Sequence, residues 1–131
     1  MITYQTILRK LRPGVAEIEI AGKVVDAALL AAEPYRIVSD TLSAGSGIIQ
    51  IAEHSYRIER ESRISIIALG KAAPSMISAA MNKLGEKVEH GLCICKHYLE
   101  NEKFPGSIKM ITGDHPIPGE NSLNAGNAIR D

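Results

Sequence analysis

A glycine–lysine pair, Gly70-Lys71, follows a short apolar run and precedes a helical pattern. The run, residues 64–69, is rich in β-branched residues and typical of a strand that is buried on both faces. Pro74 suits the first turn of a helix, where its missing N–H has no partner inside the helix. A lysine in such a turn lies beside unpaired helix N–H groups, which suits a phosphate or a carboxylate. The local pattern leaves two interpretations of Lys71, an anion-binding residue or a solvated turn residue, because a full phosphate loop needs a second glycine at fixed spacing.

The loop over residues 113–122 is the second candidate for chemistry, since it carries one imidazole and two prolines. Pro116 and Pro118 restrict the backbone, and His115 has the chemistry to form hydrogen bonds or to transfer a proton. A stiff loop that presents an imidazole at a strand end suits substrate positioning. A structural alternative stays open, in which His115 hydrogen-bonds backbone carbonyls of its own loop.

No further catalytic or metal-binding motif stands out in the sequence, and no metal site is predicted from the residues alone. Cys93 and Cys95 are expected to be buried, inert thiols, because free cysteines are often part of a protein core.

The composition is ordinary for a soluble globular protein, with 131 residues, 45% hydrophobic and 23% charged. The formal net charge of +0 provides no electrostatic attraction to nucleic acid or to an anionic membrane. The sequence lacks a transmembrane apolar run, and its start lacks the features of a signal peptide. We therefore expect a single cytoplasmic domain over residues 1–131.

Strand and helix patterns alternate from residue 64 onward. The expected strands of this half are the apolar runs 64–69, 91–95 and 108–112. This alternation predicts a parallel sheet with right-handed crossovers. Because parallel strands end at the same edge of a sheet, Lys71, Lys96 and the loop 113–122 are expected to lie at one rim.

The first half of the chain is expected to add helices and a hairpin. The helical segments by pattern are 2–12, 15–32 and 35–42. Residues 43–47 are predicted to close the third helix as a turn, and residues 48–59 to form a hairpin that turns at His54-Ser55. The predicted fold is α/β, a Rossmann-like three-layer domain with a mainly parallel sheet, N-terminal helices and a hairpin.

Three segments together resemble the glycerate 2-kinase family, whose members carry a MOFRL-type C-terminal region and are also described as hydroxypyruvate-reductase-like. They occur in the family's order and spacing, and are residues 28–35, 68–76 and 113–122. The resemblance covers about residues 24–131 and implies a Rossmann-like domain that forms one side of an active cleft.

The resemblance also implies a reaction, the ATP- and Mg²⁺-dependent transfer of a phosphoryl group to the 2-hydroxyl of D-glycerate. It implies that Lys71, in the turn begun by Gly70, is the lysine of the active cleft. His115 matches the family's His-Pro-x-Pro loop, and Ser122 matches the start of the next helix. We therefore expect Lys71 as the catalytic residue, with Gly70, Lys71, His115 and Ser122 binding substrate or phosphate. Whether Lys71 contacts glycerate or ATP stays open.

Members of the family are much longer, and their glycine- and serine-rich segment and C-terminal domain have no counterpart before Asp131. We expect this chain to be the N-terminal part of a glycerate kinase with little or no kinase activity alone. Two alternatives are a non-catalytic module of the same fold that binds a small anion or a partner chain, and an enzyme acting on a phosphosugar. An incomplete sheet exposes an edge and an apolar face, so we also expect a homo-oligomer.

Overall fold

The computed structural model describes residues 16–96 and 104–130. The helices of these residues are α1 (Ala16–Ala31), α2 (Pro34–Thr41), α3 (Ala73–Leu84) and α4 (Glu120–Arg130). The strands are β1 (Leu42–Gly45), β2 (Ile48–Ile51), β3 (His54–Arg57), β4 (Ile64–Leu69), β5 (Val88–Cys95) and β6 (Ile108–Thr112). A short 3₁₀ turn, Gly85–Lys87, joins α3 to β5. The helix predicted for residues 2–12 lies outside the described residues, and none of the described helices is long and apolar enough to cross a membrane.

Strands β4, β5 and β6 form a parallel sheet with β5 in the centre. Ile67 lies opposite Leu92, and Cys93 lies opposite Met110. Helix α3 connects β4 to β5, and α4 follows β6. The predicted α/β fold with a mainly parallel sheet is therefore confirmed; β4 and β6 have the predicted bounds, and β5 begins three residues earlier than predicted, at Val88.

Helix α3 packs on one face of this sheet, and α3 and β5 together supply most of the buried core. Ile77, at 1% exposure, lies in one cluster with Cys93 of β5 and Ile108 of β6. Helix α4 lies against the other face, where it contacts β6 and buries Ala125. Because α4 leaves β4 uncovered on that side, Ile67 is 54% exposed. Both cysteines are buried, as expected.

The segment between α2 and β4 differs from its prediction. The expected hairpin is present as β2 and β3, but it turns two residues before His54-Ser55, and a third strand, β1, pairs with β2. Residues 43–47 are thus mostly strand, and only their last two residues form the turn. Ala44 lies opposite Ile49 and packs with it against the core, and packing on one face of a sheet overrides weak strand propensity.

Glu33 connects the start of α2 to the start of α3. Its carboxylate accepts the backbone N–H of Tyr35 at 3.1 Å and of Arg36 at 2.7 Å, which caps α2. It also accepts the hydroxyl of Ser75, on α3, at 3.4 Å. Asn82 of α3 donates to the Tyr35 hydroxyl at 2.8 Å. Two of the three segments that carry the family resemblance therefore contact each other, and these contacts set the position of α3.

Replacing Glu33 with alanine is expected to lower the free energy of unfolding by about 1 kcal/mol, the usual loss for a side-chain N-cap. Urea denaturation of the two proteins measures this difference. The matched control is Glu53→Ala, because the Glu53 side chain is 80% exposed and its ion pair is with the neighbouring His54. Equal losses in the two variants would contradict the capping role.

Candidate functional site

The carboxyl ends of β4, β5 and β6 surround a small cleft of about 190 Å³. The residues that line it are Gly70, Lys71, Ile94, Cys95, Lys96, Gly113, Asp114, His115 and Ser122. Two backbone hydrogen bonds hold the loops at this edge, from the Gly70 N–H to the Ile94 carbonyl at 2.9 Å and from the Gly113 N–H to the Cys95 carbonyl at 2.9 Å. The loops thus leave the sheet from defined positions, and all four sequence-predicted site residues lie at one cleft.

Gly70 turns the chain from β4 into α3. Its φ of 102° lies in the region that glycine adopts readily and other residues rarely adopt. Pro74 lies in the first turn of α3, as expected, and the N-cap residue, Ala72, makes no side-chain capping hydrogen bond. The first N–H groups of a helix have no partner inside it and carry partial positive charge. At the start of α3 the Ala73 N–H is bound to the Gly70 carbonyl at 3.1 Å and Pro74 has no N–H, so α3 contributes mainly the positive end of its dipole beside the cleft.

Lys71 is exposed and lies in the turn itself. The salt bridges of residues 16–96 and 104–130 involve other cations, so Lys71 has no carboxylate partner within this part of the chain. Lys96 brings a second ammonium group to the same cleft. Two lysines beside a helix start that no side chain caps form an arrangement suited to a small anion.

Asp114 is the acidic residue at the cleft, and its carboxylate serves α4. One oxygen accepts the side-chain amide of Asn121 at 2.7 Å, and the other accepts the backbone N–H of Ser122 at 3.1 Å. The side-chain bond from Asn121, followed by backbone N–H groups at the start of α4, holds the pKa of Asp114 below its ordinary value. Asp114 thus acts as a capping residue from outside the helix.

The hydroxyl of Ser122 accepts the backbone N–H of Asp114 at 2.9 Å, so the two residues bind each other in both directions. A side chain at Gly119 would place its Cβ 2.9 Å from an Asp114 carboxylate oxygen, and only glycine allows this approach. Ser122 therefore lies at the cleft with its hydroxyl engaged by the loop. Its predicted role in binding substrate or phosphate stays a prediction.

His115 lies on the exposed side of the cleft, between Asp114 and Pro116, and the His115–Pro116 peptide bond is cis. His115 was predicted from the sequence as a site residue, whereas Asp114 and Asn121 were not. Aspartate is a common capping residue, and this preference is the sequence signal that could have identified Asp114. It was not used because Asp114 lies six positions before the first residue of α4, whereas an N-cap residue is adjacent to its helix.

The Mg²⁺ that the resemblance implies does not fit the described residues. Within residues 16–96 and 104–130, His, Cys, Asp and Glu form no group of three that could hold a metal ion. The oxygens of Asp114, the acid that lines the cleft, are already hydrogen-bonded to Asn121 and Ser122. Magnesium is usually bound by one or two carboxylates together with substrate phosphates, and this cleft offers no free pair of carboxylates.

Comparison with known proteins gives consistent similarities. The family described as Domain of unknown function (DUF4147) matches residues 20–131. A Glycerate 2-kinase of Pyrococcus horikoshii is 34% identical over 105 residues, which cover 80% of this chain and 22% of that protein. A D-glycerate 2-kinase of Thermotoga maritima is 34% identical over 61 residues, 47% of this chain and 14% of that protein.

The fold has a solved counterpart, the crystal structure of the PH0495 protein from Pyrococcus horikoshii. The TM-score is 0.70 at 32% identity, and the match covers 87% of this chain and 25% of that one. The chain thus spans a quarter or less of the length of each of these relatives. These matches confirm the resemblance to the N-terminal portion of glycerate 2-kinases.

Proposed function

The chain belongs to the family described as Domain of unknown function (DUF4147), and we propose from this membership that it is the N-terminal part of a glycerate 2-kinase. The observation that carries the proposal is the cleft at the ends of β4, β5 and β6, where Lys71 and Lys96 lie beside the start of α3. Such a site suits the carboxylate of D-glycerate or a phosphate group. For the chain itself we propose binding of this anion, and for the kinase of which it is a part we propose phosphoryl transfer.

In the proposed reaction the 2-hydroxyl oxygen of D-glycerate attacks the γ-phosphorus of ATP. An oxygen–phosphorus bond forms, the bond to the bridging oxygen breaks, ADP leaves, and the hydroxyl proton is released. Phosphoryl transfer depends mainly on positioning and on neutralising charge. Lys71 would neutralise the glycerate carboxylate or the transferring phosphate, and His115 would position the substrate.

A second candidate is a non-catalytic module of the same fold that binds a small anion. One observation favours it, the lack of a group of metal ligands among residues 16–96 and 104–130. The two candidates share the cleft and Lys71, but differ in whether the bound anion is turned over. The little or no kinase activity that we expect of the isolated chain agrees with both.

A thermal-shift titration of the chain tests the proposed binding. A ligand that binds the native state raises the melting temperature, and at 100 times its Kd it stabilises the protein by about 2.7 kcal/mol. We expect this rise with D-glycerate, and a separate titration with ATP and Mg²⁺ tests the nucleotide. Glycerol, which lacks the carboxylate, is the matched control. Equal behaviour with glycerate and glycerol, and no shift with ATP, would contradict an anion site at the cleft.

A further inference from the structure

We propose that Asp114 is a positioning residue of the cleft, because its capping of α4 holds His115 at the cleft mouth. This inference rests on the proposed function, in which His115 contacts the substrate. It assigns to Asp114 a role through His115 rather than contact with the reacting atoms.

Hydrogen bonds hold Asp114 through both its backbone and its side chain. Its backbone N–H donates to the Ser122 hydroxyl at 2.9 Å, and both of its carboxylate oxygens accept hydrogen bonds from Asn121 and Ser122 at the start of α4. On the other side, the Gly113 N–H is bound to the Cys95 carbonyl of β5. The backbone that enters His115 is therefore attached to both the sheet and the helix.

The backbone that follows His115 is stiff. Pro116 and Pro118 fix φ at two of the next three positions, so this stretch has few alternative conformations. The loop then reaches Gly119, whose carbonyl accepts the N–H of Leu123 at 3.1 Å and so joins the loop to α4. A stiff segment of this kind moves as one piece, so loss of the attachment at Asp114 displaces His115 instead of being absorbed within the loop. The Asp114 contacts thus set the position of His115.

The carboxylate of Asp114 also affects the distribution of charge at this rim. Two helices begin at this rim, α3 and α4, and both starts carry partial positive charge. The carboxylate of Asp114 occupies the start of α4, whereas the N-cap residue of α3, Ala72, makes no side-chain capping bond. The hydrogen bonds from Asn121 and Ser122 lower the pKa of Asp114, so its carboxylate stays charged to a lower pH than that of an ordinary aspartate. The positive groups that remain for a ligand anion at the cleft are therefore Lys71, Lys96 and the start of α3.

The experiment is NMR of the imidazole signals of the full 131-residue chain without ligand. His115→Gln assigns the His115 signals among the four histidines. In Asp114→Ala, the His115 signals are expected to shift and broaden while those of His54 and His90 stay in place. Asp114→Asn keeps an oxygen that accepts the Ser122 N–H, so its His115 signals are expected nearer to the wild type.

Asp40→Ala is the matched control, because Asp40 is an exposed aspartate paired with Arg36 on α2. It is expected to leave the His115 signals unchanged. Unchanged His115 signals in a folded Asp114→Ala protein would overturn the proposal. If Asp114→Ala does not fold, the same measurement is made on Asn121→Ala, which removes one hydrogen bond to the Asp114 carboxylate. A smaller shift of the His115 signals in that variant supports the proposal. Unshifted His115 signals overturn it.

A glycerate titration of the same variants separates this inference from the proposed function. Several-fold weaker binding in Asp114→Ala than in Asp40→Ala, together with moved His115 signals, supports both. Unmoved His115 signals with intact glycerate binding overturn the positioning role alone. Moved His115 signals with no binding of glycerate or of ATP in any protein, wild type included, overturn the proposed function and leave the structural effect of Asp114 on His115 standing.

Discussion

Replacing Lys71 with alanine is expected to weaken the binding of D-glycerate by about 10- to 100-fold. Hydrogen bonds that involve a charged group contribute about 1.5–3 kcal/mol, and each 1.4 kcal/mol is about a tenfold change in affinity. Lys71 has no salt-bridge partner within the described part of the chain, so its removal breaks no ion pair there. The melting temperature without ligand should therefore stay close to that of the wild type.

Calorimetric titration with D-glycerate measures the affinity of each variant. The matched control is Lys83→Ala, because Lys83 lies on α3 as well, in its last turn and away from the cleft. Lys96→Ala is expected to cause a smaller loss, since Lys96 lines the cleft but lies outside the turn that begins α3. If Lys71→Ala and Lys83→Ala bind both glycerate and ATP equally well, the anion-binding interpretation of Lys71 is wrong and the lysine is a solvated turn residue.

Ile77→Ala is expected to produce the largest loss of stability, about 2–5 kcal/mol, the usual range for such a truncation in a packed core. Ile77 is 1% exposed and lies between α3 and the parallel sheet, in the same cluster as Val88, Cys93 and Ile108. Its truncation removes apolar contacts and leaves a cavity that the surrounding elements fill only in part. Domains of this kind are stable by about 5–15 kcal/mol, so the loss is a large fraction of the total.

Urea denaturation followed by circular dichroism measures the effect of Ile77→Ala. Met76→Ala is the control, because Met76 precedes Ile77 on α3 and is 40% exposed, so its truncation removes less buried surface. The slope of the free energy against urea concentration should be similar in the two variants, since they unfold the same structure. Equal losses of stability at the two positions would show that α3 does not pack on the sheet as described.

Short-range patterns were sufficient to predict the elements around the cleft. The apolar run of β4, Gly70 and Pro74 each restrict the backbone within a few residues, so the strand, the turn and the start of α3 can be recognised from the sequence. The placement of Lys71, Lys96 and the loop 113–122 at one edge followed from the rule that parallel strands end on the same side. That rule needs only the order of strands and helices along the chain.

Other features depended on partners that are distant along the chain. Residues 43–45 pair with the neighbouring β2, and Ala44 packs against a core whose members Ile77 and Ile108 lie far along the chain. Glu33 lies 42 residues from Ser75, the hydroxyl of which it accepts. No local pattern specifies such a contact, because it exists only when α2 and α3 are packed together.

The sequence by itself therefore determined the α/β class, the parallel sheet and the residues that meet at its rim. It did so because backbone restriction and the burial of apolar runs act over short distances. Only the tertiary structure decided the order of the strands, with β5 in the centre, and the use of Asp114 to cap α4 beside His115. Those two features require chain segments to be close in space, and a hydrogen bond or a strand pair forms only where folding has brought its two partners together.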